Sequence, residues 1–248
     1  MTRLASIMAI CMLLLFSISA QSQVIHYQQN FDSLPDGEID GLDGWAVGPP
    51  ANLASTTVTS EVFHGVFGKS MKVDPQQVIV RDFDPMITSG VNFLSVWFRY
   101  ELRDVTDDKL FVYYGEEVRE WAGGPNLYIG GNSVDPNKVT IYNGAWSPVG
   151  DDLKVGEWQH LFQVIDVDAQ TYKVYLDDVL IADTCVYRNP GNHKALGWLM
   201  FGFDRGSAGT IGYYDDLVVG EGDVFINPSS VTAEDKLTAT WGSLKNSR

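Results

Sequence analysis

Three groups of residues have the types and spacing to do chemistry. The first is Trp97, Arg99 and Glu101, which alternate with Val96, Phe98 and Tyr100. A strand places alternate side chains on opposite faces, so the indole, guanidinium and carboxylate share one face and the apolar residues take the other. The second is a pair of tryptophans, Trp121 and Trp146, in stretches rich in Gly, Pro and Asn that also hold Asn126, Asn132 and Asn143. Sugars present apolar ring faces edged by hydroxyls. Sites for them combine an aromatic surface with amides, carboxylates and guanidinium groups. Trp97, Arg99, Glu101, Trp121 and Trp146 are therefore the candidate carbohydrate-binding residues. The third group is the acidic run Asp36, Glu38, Asp40 and Asp43. It does not match the helix-flanked calcium loop. His26, His64, His160 and His193 fall singly, with no zinc spacing. Residues 68–70 read Gly-Lys-Ser, but no helix pattern follows and the first glycine of a phosphate loop would fall at Phe63.

The elements that carry these residues read as strands. Residues 158–183 form the clearest stretch, WQHLFQVIDVDAQTYKVYLDDVLIAD. An apolar run at 158–166, a polar break, an alternating run at 171–176, the dipeptide Asp177-Asp178 and a returning run at 179–182 predict a three-stranded meander. Residues 91–103 predict the longest strand, and 197–203 and 210–219 the closing ones. No amphipathic helix pattern appears. Trp45, Trp158 and Trp198 are assigned to the scaffold.

Composition fits an all-β chain. Of 248 residues, 45% are hydrophobic and 12% aromatic, enough for a large core. The start carries Arg3, a ten-residue apolar run at 7–16 and the cleavage-like stretch Ser17-Ile18-Ser19-Ala20. That pattern predicts a secretory signal peptide over residues 1–20; the run is too short to cross a bilayer. The domain is expected at 21–222 and a tail at 223–248. Removing residues 1–20 takes away one basic residue, Arg3, and no acid, so the net charge moves from −15 to −16. A chain this acidic gives no long-range attraction to nucleic acid. Of the two cysteines, Cys11 falls in the signal segment, so Cys185 stands alone in the mature chain and is expected to be a small buried residue.

The ordered set F-D at 31–32, GKSMKV at 68–73, SVWFRY at 95–100, WQHLFQV at 158–164, YKVYLDD at 172–178 and GYYDDLVV at 212–219 resembles the laminin G-like jelly rolls of the concanavalin A-like lectin and glucanase superfamily. The resemblance covers residues 24–219. It implies two antiparallel sheets of about six strands each, packed face to face. It also implies a structural Ca²⁺ between the first loop and the last strand, with Asp32 and Asp215 as ligands. Asp215 and Asp216 are expected on opposite strand faces. Asp178 departs from the Gly usual in the hairpin turn, which leaves the turn type open.

Two stretches resemble enzymes. Glu38 to Asp43 is similar to the E-x-D-x-x-E strand of laminarinase-type glycosidases, with Asp in place of the last Glu, and chemistry there needs two carboxylates flanking one bond. Residues 99–103, Arg-Tyr-Glu-Leu-Arg, are similar to the R-x-E-L-R strand of jelly-roll alginate lyases, with His160 the available base and its positioned partner missing. The leading expectation is a secreted, periplasmic or cell-surface, non-catalytic glycan-binding jelly roll with Ca²⁺. A polysaccharide lyase or glycoside hydrolase on the same fold and an extracellular adhesion module are the alternatives.

Overall fold

The computed structural model describes residues 23–48, 56–74, 77–101, 109–116, 123–130, 135, 137–191, 193–204 and 211–223. The signal segment expected at 1–20, the expected tail from residue 224 onward and Trp121 lie outside these.

Among the described residues there are sixteen strands, β1 to β16 in chain order, and no helix. Nine form one antiparallel sheet in the order β14 (Val179–Val186), β13 (Thr171–Leu176), β12 (Trp158–Asp166), β7 (Val91–Glu101), β16 (Ile211–Glu221), β5 (Ser70–Val73), β4 (Thr57–Thr59) and β2 (Gly37–Glu38), with β1 (Ile25–Gln29) also on β16. Seven form the second sheet, in the order β11 (Trp146–Val149), β10 (Val139–Tyr142), β9 (Leu127–Ile129), β8 (Lys109–Gly115), β15 (Leu196–Asp204), β6 (Val78–Ile87) and β3 (Trp45–Val47). The molecule is an all-β, two-sheet antiparallel jelly-roll β-sandwich. The sheets are larger than the expected six strands, and the first loop contributes an edge strand to each, β2 to one and β3 to the other.

The core lies between the sheets and follows the strand alternation. Leu94, Val96, Phe98 and Tyr100 from β7 meet Ile79, Leu199 and Phe201 from the opposite sheet. Phe201 and Tyr214 have ring centroids 4.4 Å apart, so side chains of the two sheets interlock directly. Phe31 and Trp45 are buried beneath the first loop with centroids 6.4 Å apart, which pins that loop to the end of the sandwich.

The 171–183 hairpin closes as its sequence implies. Asp177 and Asp178 both have positive φ, 48° and 69°, the two left-handed residues of a type I′ turn. The returning strand runs on to Val186, past the expected Ala182, through register shifts opposite residues 172–175. Cys185 is buried, and burial pushes its thiol pKa up to about 11, as fits an inert core residue.

Trp198 faces away from the main core but is covered by a smaller cluster with Val78, Val80, Tyr128 and Met200. Gly115 lies directly against it: a Cβ there would fall 2.1 Å from the Trp198 ring. Gly115→Ala is expected to destabilise the domain by about 1–3 kcal/mol, the usual range for overpacking. Chemical denaturation would show the lowered midpoint with an unchanged m-value.

Candidate functional site

The outward face of the nine-stranded sheet gathers most of the polar and aromatic side chains in question. Register fixes a row across it. Trp158 on β12 is opposite Arg99 on β7, Arg99 is opposite Tyr213 on β16, Tyr213 is opposite Lys72 on β5, and Lys72 is opposite Thr57 on β4. Neighbouring strands are about 4.8 Å apart, so the row is roughly 19 Å long. Trp158, Arg99, Lys72 and Thr57 are half-buried, and Tyr213 is buried. Two ion pairs brace the row: Arg99 Nη2 lies 2.8 Å from Glu101 Oε1, and Lys72 Nζ lies 3.1 Å from Asp74 Oδ2.

The adjacent level of the sheet is His160, Trp97 and Asp215, again cross-strand neighbours. Here the connection between β4 and β5 folds back over the sheet. His64 from that loop stacks on Trp97, with centroids 4.0 Å apart and planes 14° from parallel. His160 stacks on the same indole at 5.2 Å. The place a sugar ring would take on Trp97 is thus occupied by an imidazole.

Two carboxylates hold the loop down. Asp215 Oδ2 accepts the His64 backbone N–H at 3.0 Å, and Asp216 Oδ2 lies 3.0 Å from His64 Nδ1. A carboxylate only accepts, so the proton of that bond is on Nδ1. The expectation that Asp215 and Asp216 point to opposite faces fails. Asp216 has φ 48°, and the β7–β16 register shifts between Asp215 and Val218. This bulge brings both carboxylates to the same histidine. It also falls where β16 changes partner, from β5 at 212–214 to β1 at 217–220. At the far end of the loop, Asp32 Oδ1 accepts the Lys69 N–H at 2.9 Å, and Lys69 Nζ pairs with Asp36 at 2.9 Å. Between these anchors Val66 and Phe67 stand exposed, flanked by Gly65 and Gly68 with φ of 93° and 145°. The loop is a wall beside the row, and His64 reaches Trp158 edge-on at 5.7 Å.

The fit of Ca²⁺ to Asp32 and Asp215 can be judged from the same contacts. Asp32 Oδ2 also accepts from Asn30 Nδ2 at 3.1 Å, and Asp215 Oδ1 from the Asp216 N–H at 2.7 Å. All four oxygens already accept N–H groups, which face the carboxylates in place of further oxygen ligands. Among the described residues, no group of three or more His, Cys, Asp or Glu is arranged to hold a metal ion. In this arrangement the two aspartates act as loop clasps, and Ca²⁺ there would exchange these amide contacts for metal–oxygen bonds.

His160 is buried, and its Nε2 shares a 2.8 Å hydrogen bond with Ser95 Oγ. Asp178 Oδ1 lies 3.8 Å from its Nδ1. Serine, histidine and aspartate in this order resemble a nucleophilic triad, but Ser95 is wholly buried and has no approach for a substrate. Burial lowers the His160 pKa to about 4, against the upward pull of Asp178 and Asp177. That is far from the value a general base needs near neutrality. The acidic run is also committed elsewhere. Asp40 accepts the Val47 N–H, Asp43 accepts from Tyr27 and Gln29, and Glu38 is exposed on the edge strand β2.

Of the five candidate sugar-binding residues, Trp121 lies outside the described residues and the other four divide. Trp97, Arg99 and Glu101 share the outward face of the nine-stranded sheet. Trp146 lies on the outward face of the other sheet, 4.2 Å from Tyr128, with the Arg188 guanidinium 5.7 Å from its ring. Trp158, read from the sequence as scaffold, stands half-exposed at the end of the row. Its parity with His160, opposite to that of the core residue Leu161, was the available signal. Lys72 and Tyr213 could have been found the same way, since each alternates with buried Met71, Val73 and Tyr214.

No protein-family model and no curated protein matches the chain in sequence. Solved structures share its fold. The cellulose-induced protein Cip1 superposes with a TM-score of 0.58 at 15% identity, over 81% of this chain and 100% of that one. Domain 4 of the extracellular arabinanase AbnA from Geobacillus stearothermophilus, solved with arabinotriose, gives 0.56 at 17% identity over 85% and 97%. A sialidase gives 0.57 at 13% identity, and there the match spans 81% of this chain but only 19% of the sialidase. At these identities the likeness establishes the β-sandwich.

Proposed function

We propose that this protein is an exported, non-catalytic carbohydrate-binding β-sandwich of the laminin G-like, concanavalin A-like kind, and that glycan lies along the Trp158–Arg99–Tyr213–Lys72 row. The observation that carries the reading is the row itself. It sets an indole beside ion-paired donors and acceptors at strand spacing, next to a loop anchored at both ends. Trp158 supplies the apolar surface for a ring face. Arg99, Glu101, Lys72 and Asp74 supply donors and acceptors for hydroxyls, and desolvated polar contacts of this kind set orientation and selectivity. Support also comes from the shared sandwich fold, seen in an arabinanase domain solved with arabinotriose. Trp97 acts from below, as the support on which His64 and the loop rest. The predicted signal segment at residues 1–20 supports export.

Binding to an immobilised glycan panel, with no reducing-end or unsaturated product released, is the test. A protein that binds no glycan, or that cleaves one, contradicts the reading. Ca²⁺ at Asp32 and Asp215 is a separate proposal, drawn from the family resemblance, and it requires the amide contacts to be exchanged for metal–oxygen bonds. If the two aspartates act as clasps, EDTA leaves the melting temperature unchanged. A fall in Tm on chelation, reversed by added Ca²⁺, would establish the ion.

A further inference from the structure

We infer that the ligand of this row is a neutral glycan and not a polyanionic one; the inference rests on the binding site proposed above. Its ground is how the row's two cations are disposed. Recognition of a uronate or sialate carboxylate calls for a guanidinium or ammonium whose charge is left for the ligand, commonly through a two-pronged contact. Neither cation of the row is so placed. Arg99 gives both Nε and Nη2 to Glu101 Oε1, at 3.0 and 2.8 Å, and Lys72 is paired with Asp74 at 3.1 Å. The partner carboxylates are half-buried with them, which strengthens each pair relative to an exposed one. An incoming carboxylate would have to displace Glu101 or sit beside it, as like charges in a partly desolvated site.

Two carboxylates beyond the row act in the same direction. Asp215 and Asp216 lie one level away, where they clasp the His64 loop. The whole chain carries −15, so a polyanion meets repulsion on approach. A neutral chain meets none of these costs. The Arg99–Glu101 pair offers N–H donors next to a carboxylate acceptor, the arrangement that two neighbouring hydroxyls satisfy, one accepting and one donating. The Lys72–Asp74 pair repeats it two strands away.

The test compares neutral oligosaccharides (cello-, xylo-, arabino- and laminari-oligomers) with oligogalacturonate and oligomannuronate of equal length, by calorimetry at 50 and 500 mM NaCl. The inference predicts that a neutral series binds at least tenfold more tightly than either acidic one, with an affinity that changes less than twofold with salt. Glu101→Gln releases the Arg99 charge, and is expected to improve uronate binding about fivefold or more at low salt while weakening the neutral ligand. Tighter uronate binding by the unaltered protein, lost at high salt, would overturn the inference and leave the binding site standing. Binding of neither class would overturn the site and the inference together.

Discussion

Replacing Trp158 with alanine is expected to weaken glycan binding at least tenfold, or about 1.4 kcal/mol, with little change in the melting temperature. The indole is half-buried on the outward face, and its aromatic neighbour is the edge-on His64, so its removal opens no cavity in the inter-sheet core. Arg99→Ala should act as strongly and through a different term. It removes donors and leaves Glu101 a half-buried carboxylate without its cation, which repels ligand oxygens as well as failing to bind them. The two residues are direct cross-strand neighbours, so a double variant should lose less than the sum of the single losses. Calorimetry on the three variants, with denaturation curves to confirm folding, checks this. Trp146→Ala, on the opposite sheet, is the control and should retain affinity.

The second large effect is on acid stability and centres on His160. Burial holds its pKa near 4, below the value of about 6.5 for a free imidazole. Between those values the unfolded chain binds a proton on this residue and the folded chain does not. Stability from the neutral ring is therefore complete above pH 6.5 and is lost as pH falls towards 4, by on the order of 3 kcal/mol in all. The nearby Asp177 does not blur this window. Burial raises its pKa, but hydrogen bonds from Lys154, the His160 N–H and Gln159 outweigh that and hold it below 3.8, so its own contribution fades at lower pH. Urea unfolding from pH 7 to pH 4 should show His160→Gln losing distinctly less stability than the unaltered protein. Parallel curves would show that the imidazole does not carry the acid sensitivity.

Much of this fold could be read from alternation. The 158–183 meander, the 91–101 strand and its two faces, and the pair of aspartates in the hairpin turn all follow from period-2 patterning and from which residues accept positive φ. The site was readable in part. Parity alone put Trp97, Arg99 and Glu101 together, because one strand carries all three. It could not place Trp146 on the other sheet, nor set Trp158, Tyr213 and Lys72 beside Arg99, since those relations are cross-strand register between segments far apart in sequence. The bulge at Asp216 was hidden for a related reason. An ideal strand sends adjacent residues to opposite faces, and only the change of partner along β16 makes the irregularity necessary. His64 is the residue least accessible to sequence reasoning: a lone histidine in a glycine-rich loop becomes the cover of Trp97 only once the loop is seen to fold back.

The most direct measurement follows backbone-amide and indole N–H resonances as a bound oligosaccharide is titrated in. If glycan lies along the row, the largest shifts will fall on the Trp158 indole, Arg99, Glu101, Tyr213 and Lys72, with Trp146 and Tyr128 unmoved. Shifts concentrated on Trp146, Tyr128 and Tyr142, with the row silent, would place the ligand on the other sheet and contradict the account.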